Sequence, residues 1–160
     1  MHDIDTAVRA AVFAAVFITL YIGHRVGDNW SQTSAQAAAK GGQGWPARLA
    51  CARHVLSLTL TKAVVLAPVA LVLHLPLTAT GLAIAFAVDM ASHYWADRRT
   101  AFFALAEAVG RGGYRTYCTV VRKTDDDVED TTGPGTAAFE LDQSWHVLWL
   151  GIASLITAAL

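Results

Sequence analysis

Apolar positions dominate four stretches of the chain, separated by two long polar segments and one short turn. A membrane-crossing helix takes roughly 20 mostly apolar residues, and residues 6–24, 54–75, 77–96 and 138–160 meet that length. Within them the apolar positions run almost without interruption, so the helices are predicted to be apolar on most faces. Pro68 falls inside the second stretch, where neighbouring helices can tolerate a kink. Only HLPLT divides the second stretch from the third, which predicts a tight antiparallel hairpin. Residues 25–53 and 97–137 form the two long polar segments. The second opens with a predicted short helix in RRTAFFALAEAVG and ends in an acidic tail with Gly and Pro, expected to be mobile. The fold class predicted is all-α, a bundle of four transmembrane helices in one integral membrane domain, residues 1–160.

Composition agrees. The chain is 54% hydrophobic and only 16% charged, against about 25% charged in a typical soluble domain. The basic residues are placed unevenly. Arg25, Lys40, Arg48 and Arg53 lie in the first long segment. Arg98, Arg99, Arg111, Arg115, Arg122 and Lys123 lie in the second. Arg9 alone lies on the other side, and Lys62 sits inside the second span. By the positive-inside rule both long segments are cytoplasmic and both termini face outward. Cys51 and Cys118 are too few and too far apart for a disulfide framework or a zinc ribbon and are read as free thiols.

Against this background the ionisable residues within the spans stand out, because each costs about 2.5–3.5 kcal/mol or more at a helix centre. Their spacing is regular. His24–Asp28, Asp89–His93, His93–Asp97 and Asp142–His146 are all four residues apart, which places each pair on one helix face. Random placement of ten Asp around six His would give about 0.75 such pairs; four occur. With the topology above, these pairs and His54, at the start of the second span, all fall at the cytoplasmic end. His74 falls at the opposite end. Imidazole and carboxylate converging at one depth suit a divalent metal such as Zn, Mn or Fe, with donors enough for two ions.

The predicted ligands are His24, Asp28, His54, Asp89, His93 and His146. The length of helix between Asp89 and Asp97 implies either two ions or one carboxylate that orients a histidine. Asp97 and Asp142 are the predicted proton acceptors. Gln32, Gln143, Arg25 and Arg98 are predicted to contact substrate. Trp30, Trp95, Trp145 and Trp149 are read as an interfacial belt.

In these motifs the chain resembles an integral membrane family of bacteria and phages, the domain of unknown function numbered 3307. The family pattern is H-x-x-x-D-x-x-x-Q at the end of the first helix, a histidine opening the second, an acidic helix motif, and D-Q-x-x-H opening the last. The matching residues are His24, Asp28 and Gln32; His54; Asp89, His93 and Asp97 in DMASHYWAD; and Asp142, Gln143 and His146 in DQSWH. The resemblance covers about residues 21–160 and implies a bacterial inner-membrane location. More loosely, the pattern is similar to bacterial inner-membrane metal-dependent hydrolases, and its ligand types are similar to those of zinc-dependent phospholipase C.

The function expected is metal-dependent hydrolysis of a phosphoester or lipid-like substrate at the cytoplasmic interface. The alternatives are transport of a metal ion or proton, and a non-enzymatic scaffold with a structural metal. Membrane lipid and a small-molecule or lipid substrate are the expected partners, nucleic acid is not, and a homo-oligomer is left open.

Overall fold

The computed structural model describes residues 2–117, 119–122 and 128–160. Four long helices carry the fold: α1 (His2–Val26), α3 (Gly44–Val72), α4 (Ala79–Asp97) and α7 (Ala137–Ala159). They pack in a ring in which α1 lies against α3 and α7, and α4 lies against α3 and α7. Short elements fill the long segments: α2 (Ser34–Ala39), α5 (Thr100–Ala108), α6 (Gly112–Tyr117), and an antiparallel pair, β1 (Val120–Arg122) with β2 (Val128–Asp130). The chain is thus helical apart from one three-residue strand pair among the described residues. Residues 125–127 of the acidic run lie outside the described residues, as does Cys118; Cys51 is buried and free.

The helix starts follow local chemistry. Thr78 and Thr136 cap α4 and α7, their hydroxyls accepting the N–H of Gly81 and Phe139. α3 begins at Gly44 rather than near residue 54, because Trp45-Pro46 sits in its first turn, where a missing N–H breaks no helical bond. His54 therefore lies well inside a helix instead of opening one. α1 ends in a π-helical turn, Gly27–Ser31, whose wider winding brings the N–H of Gln32 to the carbonyl of Gly27. The tail expected to be mobile forms ordered turns at its end. Asp130 Oδ1 accepts the N–H groups of Thr132 and Gly133 ahead of the Thr136 cap.

The bundle has two storeys. In one, Val12, Val16, Leu20, Leu66, Ala85, Leu150 and Ala153 make an apolar core. The first turns of α1, the last turn of α7 and the α3–α4 turn close that end: Arg9 donates to the Ala159 carbonyl, and Gly81 lies against Leu160. The other storey is polar, with His24, His54, His93, Asp97 and His146 all buried. The outer surface is the reverse. On α3, Leu49, Leu56, Leu60, Val64 and Leu71 are exposed while His54 and Lys62 are buried. Polar residues inside and apolar residues outside is the arrangement a bilayer favours. Two helical segments, Asp3–Ser31 and Gly44–Val72, are long and apolar enough to cross a membrane. The other two long helices, α4 and α7, carry the Asp, His and Trp residues of the polar storey, which lower their apolar character.

Candidate metal centre

The i, i+4 spacing does place each His–Asp pair on one face, and the bundle turns those faces inward. His24 Nε2 lies 3.4 Å from Asp28 Oδ2, His93 Nε2 3.2 Å from Asp97 Oδ2, and His146 Nε2 3.4 Å from Asp142 Oδ2. Contacts between helices then tie the pairs together. His54 Nε2 lies 3.3 Å from Asp28 Oδ1 and 3.4 Å from Asp97 Oδ2, and His93 Nε2 lies 3.3 Å from His54 Nε2. The His93 and His146 rings stack, with centroids 3.8 Å apart.

These distances discriminate between two kinds of contact. A charged N–H to carboxylate hydrogen bond runs about 2.7–2.9 Å. The edge of a tetrahedron drawn around an ion with bonds of 2.0–2.1 Å is about 3.3–3.4 Å. His54 Nε2, His93 Nε2 and Asp97 Oδ2 form a triangle with sides of 3.3, 3.4 and 3.2 Å, close to one face of such a tetrahedron. Asp28 Oδ1 is a further carboxylate oxygen, 3.3 Å from His54 Nε2. Among the described residues two groups have donor atoms close enough to hold an ion: Asp28 with His54 and His93, and His93 with Asp97 and His146. Several of these atoms have no hydrogen-bond partner among the described residues, including His24 Nε2, Asp28 Oδ1, Asp97 Oδ2 and His146 Nε2. Buried polar atoms left without partners are expensive, and a cation beside His54 and His93 would satisfy Asp28 Oδ1 or Asp97 Oδ2. The Nδ1 atoms of His24, His54 and His93 also lack partners among the described residues, so ring orientation rests on packing.

Asp89 stands apart from this group. It is buried two turns deeper on α4 and forms an ion pair with Lys62 of α3, whose side chain is 1% exposed. The Asp89–Asp97 spacing therefore does not bear on the number of ions, which rests on the donors around Asp97. A buried ammonium needs a carboxylate, and Lys62 takes Asp89.

Lys40 is the residue the pattern did not single out. It follows α2, which begins with a reciprocal cap between Thr33 and Gln36. Its Nζ lies 2.8 Å from Asp97 Oδ1, and its side chain is 12% exposed. Burial alone would push this ammonium's pKa down, but Asp97, with Asp28 and Asp142 behind it, holds it above the ordinary lysine value. Arg98, expected at the substrate, instead donates to the carbonyls of Lys40 and Gly42 and so holds this turn in place.

An open cavity of about 940 Å³ lies over the centre. Asp28, Asp97 and Asp142 line it, as do Arg25, Lys40 and Arg99. Arg25 donates to Gln143 Oε1 at 3.1 Å, and the Gln143 amide reaches Asp28 Oδ2 at 3.5 Å, so these two residues position a carboxylate. Gln32 lines the cavity with its Nε2 unpartnered among the described residues. Asp130, Thr132 and Pro134 form a wall that nothing in the sequence pattern announced. The tryptophans divide. Trp30 is 86% exposed, whereas Trp95 and Trp145 pack together with Phe102, and Trp145 donates to Ser92 Oγ.

No family model, curated protein or solved structure matches the chain.

Proposed function

We propose that all four long helices cross the inner membrane and that the chain is a metal-dependent hydrolase of an anionic, phosphoester-like substrate at the cytoplasmic face. The observation that carries this reading is the His54–His93–Asp97 triangle, with edges of 3.2–3.4 Å, at the floor of a cavity bordered by Arg25, Lys40 and Arg99. A bound divalent ion would lower the pKa of a water toward about 7 and polarise the reacting oxygen. Both oxygens of Asp97 are engaged, one in the triangle and one by Lys40. Asp97 is therefore assigned as a ligand rather than as the base. Asp142 keeps the role of proton acceptor: it lines the cavity, is 20% exposed, and is paired with His146. Arg99 and Lys40 hold the anionic group. The motif resemblance to the membrane family numbered 3307 supports the helix count and the location but assigns no reaction.

A second reading is a structural metal in a non-enzymatic scaffold. Asp28 Oδ1, 3.3 Å from His54 Nε2, favours it, since four protein ligands are the mark of a closed structural site. Transport would need a polar path through the far half of the bundle, where Val16, Leu66 and Leu150 pack together.

The test is elemental analysis of the detergent-purified chain beside hydrolysis of a generic phosphodiester. Wild type is expected to hold stoichiometric metal, and His93→Ala to lose it. Asp142→Asn is expected to keep the metal and lose about 10²–10⁴-fold in rate. Metal without hydrolysis in wild type selects the scaffold. Absence of metal with the fold intact removes both readings.

A further inference from the structure

We propose that Lys40 takes the place of a second metal ion. One ion sits on the His54–His93–Asp97 face, and the Lys40 ammonium occupies the position beside it. The assignment rests on the metal centre proposed above and deepens it.

The two oxygens of Asp97 divide the work. Oδ2 faces His54 and His93, at 3.4 and 3.2 Å, while Oδ1 is 2.8 Å from Lys40 Nζ. In two-metal sites, where the ions lie about 3.5–4 Å apart, a carboxylate can bridge in this way, giving one oxygen to each cation. Donors for a second ion are in place. His146 Nε2 lies 4.0 Å from Asp97 Oδ1 and 3.4 Å from Asp142 Oδ2. What occupies Oδ1 is an ammonium.

The contact is built into the fold. Arg98 fixes the carbonyls on either side of Gly41. Gly41 itself packs against Arg99 so closely that a Cβ there would lie 2.7 Å from Arg99 Cδ. Charge balance points the same way. Asp89 and Lys62 cancel each other. Asp28, Asp97 and Asp142 carry three negative charges, which one divalent ion and Lys40 match, while Arg25 and Arg99 on the cavity wall add positive charge beyond that. A second ion beside Lys40 would leave an excess of positive charge in a largely buried site, which is costly. With Lys40 in that position, His146 and Asp142 stay outside the ion's ligand set and are left as a pair to move a proton. Lys40 also has donors beyond the one Asp97 accepts. These face the cavity, where an anionic substrate oxygen would sit between ion and ammonium.

The experiment compares full-length wild type, Lys40→Arg and Lys40→Met in detergent, each loaded with Zn²⁺ and cleared of free metal. Expected are one zinc per chain in wild type and Lys40→Arg, and two in Lys40→Met. Loading with Mn²⁺ gives an independent readout by electron paramagnetic resonance: an isolated-ion signal in wild type and a spin-coupled pair in Lys40→Met. Lys40→Ala replaces the methionine variant if that does not fold. Two ions in wild type, or one in every variant with no coupled signal, overturns the proposal while leaving the metal centre standing. No metal in any of them overturns the centre itself.

Discussion

Lys62 shows what one buried charge demands. Its ammonium lies in the middle of α3, sealed from solvent, and Asp89 of α4 is its partner. Removing one partner leaves the other charged and unpaired in a poorly solvating interior, which typically costs 3–5 kcal/mol, whereas replacing both with apolar residues is often neutral. Lys62→Met is therefore expected to lower stability by about 3–5 kcal/mol, and Lys62→Met with Asp89→Leu to recover most of the loss. Denaturant unfolding in detergent, followed by circular dichroism, measures both. Equal loss in single and double variants would show that the pair is not the source of the effect. Because Asp89 is held by Lys62, the double variant is also expected to retain its metal, which separates Asp89 from the ligands His54, His93 and Asp97.

Between elements, the close approach of α1 and α3 sets the geometry of the centre. Gly23 faces Lys62, and a Cβ at that position would lie 2.8 Å from the Lys62 Cα, a backbone atom that cannot swing aside. Small residues permit such contacts between membrane helices. His24 is the next residue on α1, and His54 stands two turns away from Lys62 on α3, so helix separation at Gly23 moves donors on both helices. Gly23→Ala is expected to cost about 1–3 kcal/mol, as overpacking usually does, and to reduce metal retention, read by elemental analysis after dialysis. Full metal content at reduced stability would show that the ligands do not depend on this contact. The π-helical turn at Gly27–Ser31 works at the same scale. It ends the His24–Asp28 stripe as a regular helix, yet leaves both Asp28 and Gln32 on the cavity wall.

Across the whole molecule, polar and apolar storeys impose an orientation. The centre, Lys40 and both long segments lie at one end, and the first turns of α1 lie at the other. Ten of the twelve basic residues belong to the long segments, and for the proposed spanning bundle the positive-inside rule predicts that end on the cytoplasmic side. Single cysteines at Ser34 and Ile4, in a chain with Cys51 and Cys118 replaced, are expected to differ in access. A membrane-impermeant maleimide should label Ile4→Cys in intact spheroplasts, and Ser34→Cys only after permeabilisation. The opposite pattern would reverse the orientation, and labelling of both sites from outside would argue against a spanning bundle.

The sequence by itself determined the helical class, the long apolar stretches and the inward-facing His–Asp pairs, because helical periodicity is a local property read from residues four apart. It also put His24, Asp28, His54, His93, Asp97 and His146 in one region, since each falls toward the same side of its apolar stretch, although His54 lies well inside α3. Only the tertiary structure decided who pairs with whom. The rotation and depth of each helix gave Asp89 to Lys62, divided the two oxygens of Asp97, and brought Lys40 into the centre from a segment that reads as an ordinary positive loop. Contacts of that kind depend on packing between residues far apart in the chain, and no local spacing encodes them.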